Sequence, residues 1–132
     1  MSRLVIGVGF RDRANAQSIS EVLASVASRS AMSGMETVLV VPEDKAAHPG
    51  LRAAAQAMQL RIETVTADAM DTDDIRIITR SQQVKKYRGV DSVCEAAALA
   101  AAGAGARLVV TRVVSRDRFA TAAAAITEDA TP

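Results

Sequence analysis

Four short strand-like runs constrain this chain more than any other feature: "RLVIGVGF" (3–10), "TVLVV" (37–41), the weakly alternating "RIETV" (61–65) and "ARLVVTRVVS" (106–115). Each is separated from the next by a segment with helical character. The first is nearly unbroken and ends in glycines, as a strand covered on both faces requires. Strands alternating with helices pair largely in parallel, because each crossover carries a helix over a face of the sheet. Helices on both faces are therefore expected.

The connecting segments carry their own start and stop signals. Asn15 stands where an N-cap belongs, and Val22, Leu23 and Val26 follow 3, 4 and 7 positions after Ile19. Pro42 stops the second run, and Pro49 suits the first turn of a helix over roughly 49–58. After the third run the acidic stretch "DAMDTDD" reads as a solvated loop, and Ser81 as the cap of a short helix ending near Gly89. A further helix is expected from about Val93 to Ala102, broken by Gly103 and Gly105. The closing "RFATAAAAI" favours helix on propensity, while Phe119, Thr121 and Ile126 leave a strand open.

The 132 residues fit one compact domain, 1–132. Net charge is +1, from 16 Lys+Arg against 15 Asp+Glu, which argues against a dedicated nucleic-acid binder. Arginine far outnumbers lysine, which suits planar recognition of carboxylates or phosphates and equally reflects GC-rich coding. One cysteine makes no internal disulfide and one histidine anchors no usual zinc site, so neither metal nor cofactor is expected and a reducing cytoplasm is the expected compartment. The first ten residues do not read as a signal peptide, and no apolar run approaches ~18 residues, so no membrane association is expected.

In such sheets ligands gather beyond the carboxyl ends of the strands. The loops of interest are Gly9–Asn15, Pro42–Gly50 and the region after Val110. "GVGFRD" begins like a dinucleotide fingerprint, but Asp12 occupies the third glycine's place and would meet pyrophosphate with a carboxylate. Neither a phosphate-loop lysine nor a Gly-x-Ser-x-Gly elbow occurs. His48 has no serine partner and reads as a loop residue before a helix. Cys94 is either a thiolate favoured by the helix dipole or a buried, inert thiol.

"GVDSVCEAAALAAAG" (89–103) poses the sharper question. Ser92 and Glu95 have the spacing of a capping box, in which the serine oxygen takes the N3 amide proton and the glutamate reaches back to the N-cap amide. That reading needs no substrate. A catalytic glutamate instead requires burial that favours its protonated form, whereas accepting backbone protons favours the charged one.

The longer stretch "TRSQQVKKYRGVDSVCEAAALAAAGAGARLVV" (79–110) resembles the CobE family and the C-terminal domain of CbiG, proteins of cobalamin biosynthesis. Gly89, Val90, Ser92, Val93, Glu95, Ala96, Ala97, Ala98, Leu99 and Gly103 stand at matching positions. "GVGFRDRANAQSI" is similar to the family's opening, and "PEDKAAHPGLRAAAQAMQL" to its acidic loop, Pro-Gly-Leu and helix. Where the family often has a cysteine, two adjacent arginines and a glycine, this chain has Phe10, Arg11, Asp12 and Arg13. A cysteine nucleophile is thereby removed, and the second arginine's role passes to Arg13 or vanishes.

The resemblance implies an α/β sandwich of three layers, a mostly parallel sheet of four strands plus a C-terminal antiparallel hairpin strand. It makes residues 119–126 that strand against their propensity, with Arg116 and Asp117 at the turn. By the same resemblance, CbiG opens a lactone ring on a cobalt-containing corrin precursor in the anaerobic route. CobE is similar to a free-standing copy of its C-terminal part and belongs with the aerobic route. This chain opens directly on its first strand, so likeness to CobE is the nearer expectation.

Corrin precursors are broad, partly apolar rings fringed with carboxylates, and a site for one needs arginines around an apolar floor. Arg11, Arg13, Arg112 and Arg116 are the candidates because they follow strand ends. Gly9, Ser81, Ser92 and Glu95 complete the expected substrate-binding set, and Glu95 is also the candidate catalytic group. Three functions are open: binding or handing over a tetrapyrrole or corrin intermediate, hydrolytic opening of a precorrin lactone, or docking on another cobalamin biosynthesis enzyme.

Overall fold

A computed structural model of the chain describes residues 3–30, 36–66, 90–103 and 106–127. The expected acidic loop, the short helix after Ser81, and Ser81 itself lie outside the described residues.

Strand β1 (Arg3–Phe10) forms the middle of the sheet. It pairs in parallel with β2 (Glu36–Pro42), and β2 in parallel with β3 (Arg61–Val65). On its other side β1 pairs antiparallel with β5 (Ala120–Thr127), from Arg3 opposite Thr127 to Phe10 opposite Ala120. Strand β4 (Arg107–Val114) lies beyond β5 and pairs antiparallel with it, giving the order β3-β2-β1-β5-β4. The five-stranded mixed sheet matches the expected architecture, and the hairpin strand inserts between β1 and β4.

That insertion explains how alanines make a strand. Ala120, Ala122, Ala123, Ala124 and Ala125 are all fully buried, and helices cover them on both faces. Intrinsic propensity is a weak prior beside such packing, and only short side chains let both helical layers approach.

On one face lie α1 (Ala16–Ser30) and α2 (Pro49–Ala57). Asn15 caps α1 as expected, its Oδ1 accepting from the Ser18 N–H at 2.8 Å. Ile19, Val22, Leu23 and Val26 pack there against Leu4, Ile6, Val8 and Phe10. The opposite face carries α3 (Val90–Ala102), which begins a turn earlier than Val93. Its Cys94, Ala97, Ala98 and Leu99 meet Val5, Val38, Val40, Ala123 and Ala125.

Gly7 makes that second layer possible. A Cβ at this position would lie 2.0 Å from the Cys94 carbonyl oxygen and 2.7 Å from the Ala98 nitrogen, so the α3 backbone rests directly on β1. At the far end Gly103, with φ of +90°, closes α3 in the left-handed conformation expected of a helix terminator. Its N–H donates to the Leu99 carbonyl at 3.0 Å.

Candidate functional site

Helix α3 runs back from the carboxyl ends of the parallel strands, as a right-handed crossover requires, and its C-terminal Ala101 carbonyl meets Arg3 at the opposite edge of the sheet. The carboxyl edge is therefore framed by the β1–α1 loop, the β2–α2 loop, the β4–β5 turn and the first turn of α3.

The β1–α1 loop is a tight turn, with the Ala14 N–H donating to the Arg11 carbonyl and the Arg11 N–H to the Phe119 carbonyl, each at 2.9 Å. Arg11, Asp12 and Arg13 are exposed. His48 anchors this loop from the side. Its Nδ1 accepts from the Gly50 and Leu51 N–H groups at 3.1 and 3.4 Å and so caps α2. The ring proton is then on Nε2, which donates to the Asp12 carbonyl at 3.1 Å. Lys45 pairs with the Asp12 carboxylate at 3.1 Å, an exposed and individually weak contact. Asp12 thus has its own cation, whereas Arg11 and Arg13 make no ion pair among the described residues.

The β4–β5 turn is tied to α1. Asp117 Oδ1 accepts from the Ser115 hydroxyl at 2.6 Å and from the Phe119 N–H at 3.0 Å, which folds the turn locally. Asp117 Oδ2 takes the Ser18 hydroxyl from α1. The same hydroxyl lies 3.1 Å from Asn15 Oδ1, but it has one proton and the charged carboxylate is the stronger acceptor. Glu21 adds a second tie, accepting the Arg116 N–H at 3.1 Å. Between turn and helix lies an open groove of about 580 Å³ lined by Asn15, Gln17, Ser18, Ser20, Glu21, Arg116 and Asp117.

The donated bonds, those of Ser115 foremost and then of Ser18 and Phe119, hold the Asp117 carboxyl below its ordinary value of 3.8. A carboxyl depressed in the folded state adds stability that is fully present above its unfolded value and lost as pH falls through the folded one. The tie is therefore intact at neutral pH. Asp117→Asn is expected to lower Tm at about pH 6, and its difference from wild type to shrink as pH falls toward about 2. A Tm difference unchanged across that range would contradict this role.

Behind the edge, on the α3 side, Glu95 is fully buried. Its Oε2 accepts the Arg112 backbone N–H from β4 at 3.1 Å. Burial pushes the neighbouring Cys94 thiol up to about 12. Cys94 is thus the inert thiol of the two readings. The Thr121 hydroxyl donates to the Gly9 carbonyl at 3.3 Å.

A family model described as cobalamin synthesis G C-terminus matches residues 4–126. The chain belongs to this family. Among solved structures, CobE, a protein from the cobalamin (vitamin B12) biosynthetic pathway, is 28% identical with a TM-score of 0.76, over 95% of this chain and 90% of that one. The cobalamin biosynthesis protein chiG from Agrobacterium tumefaciens is 35% identical with a TM-score of 0.70, over 96% of this chain and 99% of that one. No curated protein sequence matches the chain. The chain takes part in cobalamin biosynthesis.

In this cobalamin synthesis G C-terminal fold, Gly9, Arg11, Arg13, Ser92, Glu95, Arg112 and Arg116 all fall at the carboxyl edge. They do not form one cluster. Glu95 and Arg112 meet on the α3 side, while Arg116 borders the groove on the α1 side, its Nε 4.0 Å from Glu21. The capping box needs correction: α3 begins at Val90, which puts Ser92 inside the first turn, and the Glu95 carboxylate holds an amide of β4. Sequence reasoning missed the Asn15–Ser18–Asp117–Ser115 connection and exposed Arg118, held in the turn at φ of 66°. Among the described residues no group of three or more His, Cys, Asp and Glu could hold a metal ion, and no helix is long and apolar enough to cross a membrane.

Proposed function

We propose that this chain binds a carboxylate-fringed corrin or precorrin intermediate at the carboxyl edge of its sheet and hands it to another enzyme of the aerobic pathway in the cytoplasm, with residues 1–132 acting as one unit. The observation that carries the reading is the Arg11-Asp12-Arg13 loop. Its one carboxylate is taken by Lys45, and its two guanidiniums are exposed and make no ion pair among the described residues. Guanidiniums pair bidentately with carboxylates, and a broad ring needs an open edge rather than a closed pocket. The groove beside Arg116 supplies further open surface, although Glu21 and Asp117 make it less cationic than the loop. Lactone opening by a carboxylate-activated water draws no support from Glu95, which offers a substrate no accessible surface and whose Oε2 already accepts the Arg112 N–H.

The test is a titration of the protein with hydrogenobyrinic acid and earlier precorrins, following the ligand's visible spectrum. Saturable binding without a new product is expected, weakened about tenfold by Arg11→Ala or Arg13→Ala, the size of one lost charge-assisted pair. A changed product spectrum would favour the hydrolase, and no binding to any corrinoid would leave the docking module.

A further inference from the structure

Strand β4 breaks register twice against β5. Its partners pass from Leu108↔Ala125 to Val110↔Ala124, and then to Val113↔Ala122. At the second break Thr111 and Arg112 together face Ala123 alone, the two-against-one arrangement of a bulge. An extra residue takes backbone groups out of the ladder, and such groups need other partners when water is excluded. The Arg112 N–H finds one across the layer, in the carboxylate of Glu95. Glu95 is fully buried while Arg112, on the same contact, is exposed.

We propose that Glu95 is a positioning residue. By holding the Arg112 amide it fixes the β4 bulge, and the bulge presents the Arg112 guanidinium at the carboxyl edge to a carboxylate of the ligand. Glu95 acts through Arg112 and does not touch the ligand. The inference rests on the corrin-binding reading above. A pin that merely docks α3 on β4 would change stability and leave ligand affinity alone, so the two roles have different signatures.

Arg112→Ala keeps the backbone N–H and with it the Glu95 contact. In the titration with hydrogenobyrinic acid it is expected to weaken binding about tenfold. Glu95→Asp, one methylene short of the amide, is expected to weaken binding nearly as much, and the double variant no further than Arg112→Ala alone. Glu95→Gln keeps an acceptor oxygen of the same reach and is expected to bind like wild type. Hydrogen exchange at the Arg112 amide should be fast in Glu95→Asp and slow in Glu95→Gln. The milder Glu95→Asp is used because Glu95→Ala leaves a void and an orphaned amide that can unfold the chain. Losses that multiply in the double variant, or wild-type affinity in Glu95→Asp, overturn the positioning role and leave the corrin reading standing. If the wild-type chain binds no corrinoid, both fall.

Discussion

Replacing Gly7 by alanine is expected to destabilise the protein by about 3 kcal/mol or more, at or above the usual range for overpacking. The added Cβ meets backbone on both nearest contacts, the Cys94 carbonyl at 2.0 Å and the Ala98 nitrogen at 2.7 Å. No rotamer change relieves a clash between a strand and a helix backbone, so α3 must move outward by on the order of 1 Å. That movement opens the layer in which Cys94, Ala97, Ala98 and Leu99 are sealed against Val5, Ala123 and Ala125. For a chain of this length the loss corresponds to a Tm fall on the order of 10 °C. Cys94 supplies an independent readout, because burial pushes its thiol up to about 12 and keeps it protonated and covered. A disulfide reagent should modify Cys94 slowly in the wild type and much faster in Gly7→Ala. A Tm within about 2 °C of wild type together with an unreactive Cys94 would show that the methyl is accommodated with the α3 layer still closed, and would overturn the clash.

Legibility in the sequence followed the range of the interaction. Asn15, Pro49 and Gly103 act within a turn of their own helices, and each does what its residue type announces. β5 was the reverse case: its alanines read as helix, and only the family resemblance marked the strand, because the reason for it is burial between β1, β4 and two helical layers. The Ser92–Glu95 spacing obeyed a local rule and misled. What decides Glu95 is an amide 17 positions away, released by a bulge that no local pattern announces. The Ser18–Asp117 link spans 99 positions and was invisible for the same reason. The position of Arg11, Arg13 and Arg116 at the carboxyl edge is legible from their place after strand ends, but their surroundings are not. That Lys45 takes Asp12 while Glu21 faces Arg116 depends on how separate loops converge.

Phe10→Ala is expected to cost about 3–5 kcal/mol, the range for removing a buried aromatic ring. Phe10 is 2% exposed and sits in the core on the α1 and α2 side. The ring also organises the edge above it. His48 packs edge-on against it with ring centres 4.7 Å apart, and the Lys45 ammonium lies 5.4 Å from its centre. Those two residues hold Asp12, His48 by its carbonyl and Lys45 by its carboxylate. Without the ring, both contacts lose their footing, and the Arg11–Arg13 loop loses its anchor at Asp12. Corrinoid affinity should therefore fall in Phe10→Ala although Phe10 is buried beneath the edge. Phe10→Leu, which restores most of the apolar volume without the aromatic edge, separates the two effects: stability should largely return while affinity stays low. His48→Ala alone should cost about 1 kcal/mol as a lost helix cap. Combined with Phe10→Ala in urea unfolding, it should show a coupling of roughly 0.5–1.5 kcal/mol, the worth of an aromatic pair in contact. Strict additivity, with affinity restored in Phe10→Leu, would mean that the ring fills the core and does nothing for the arginine loop.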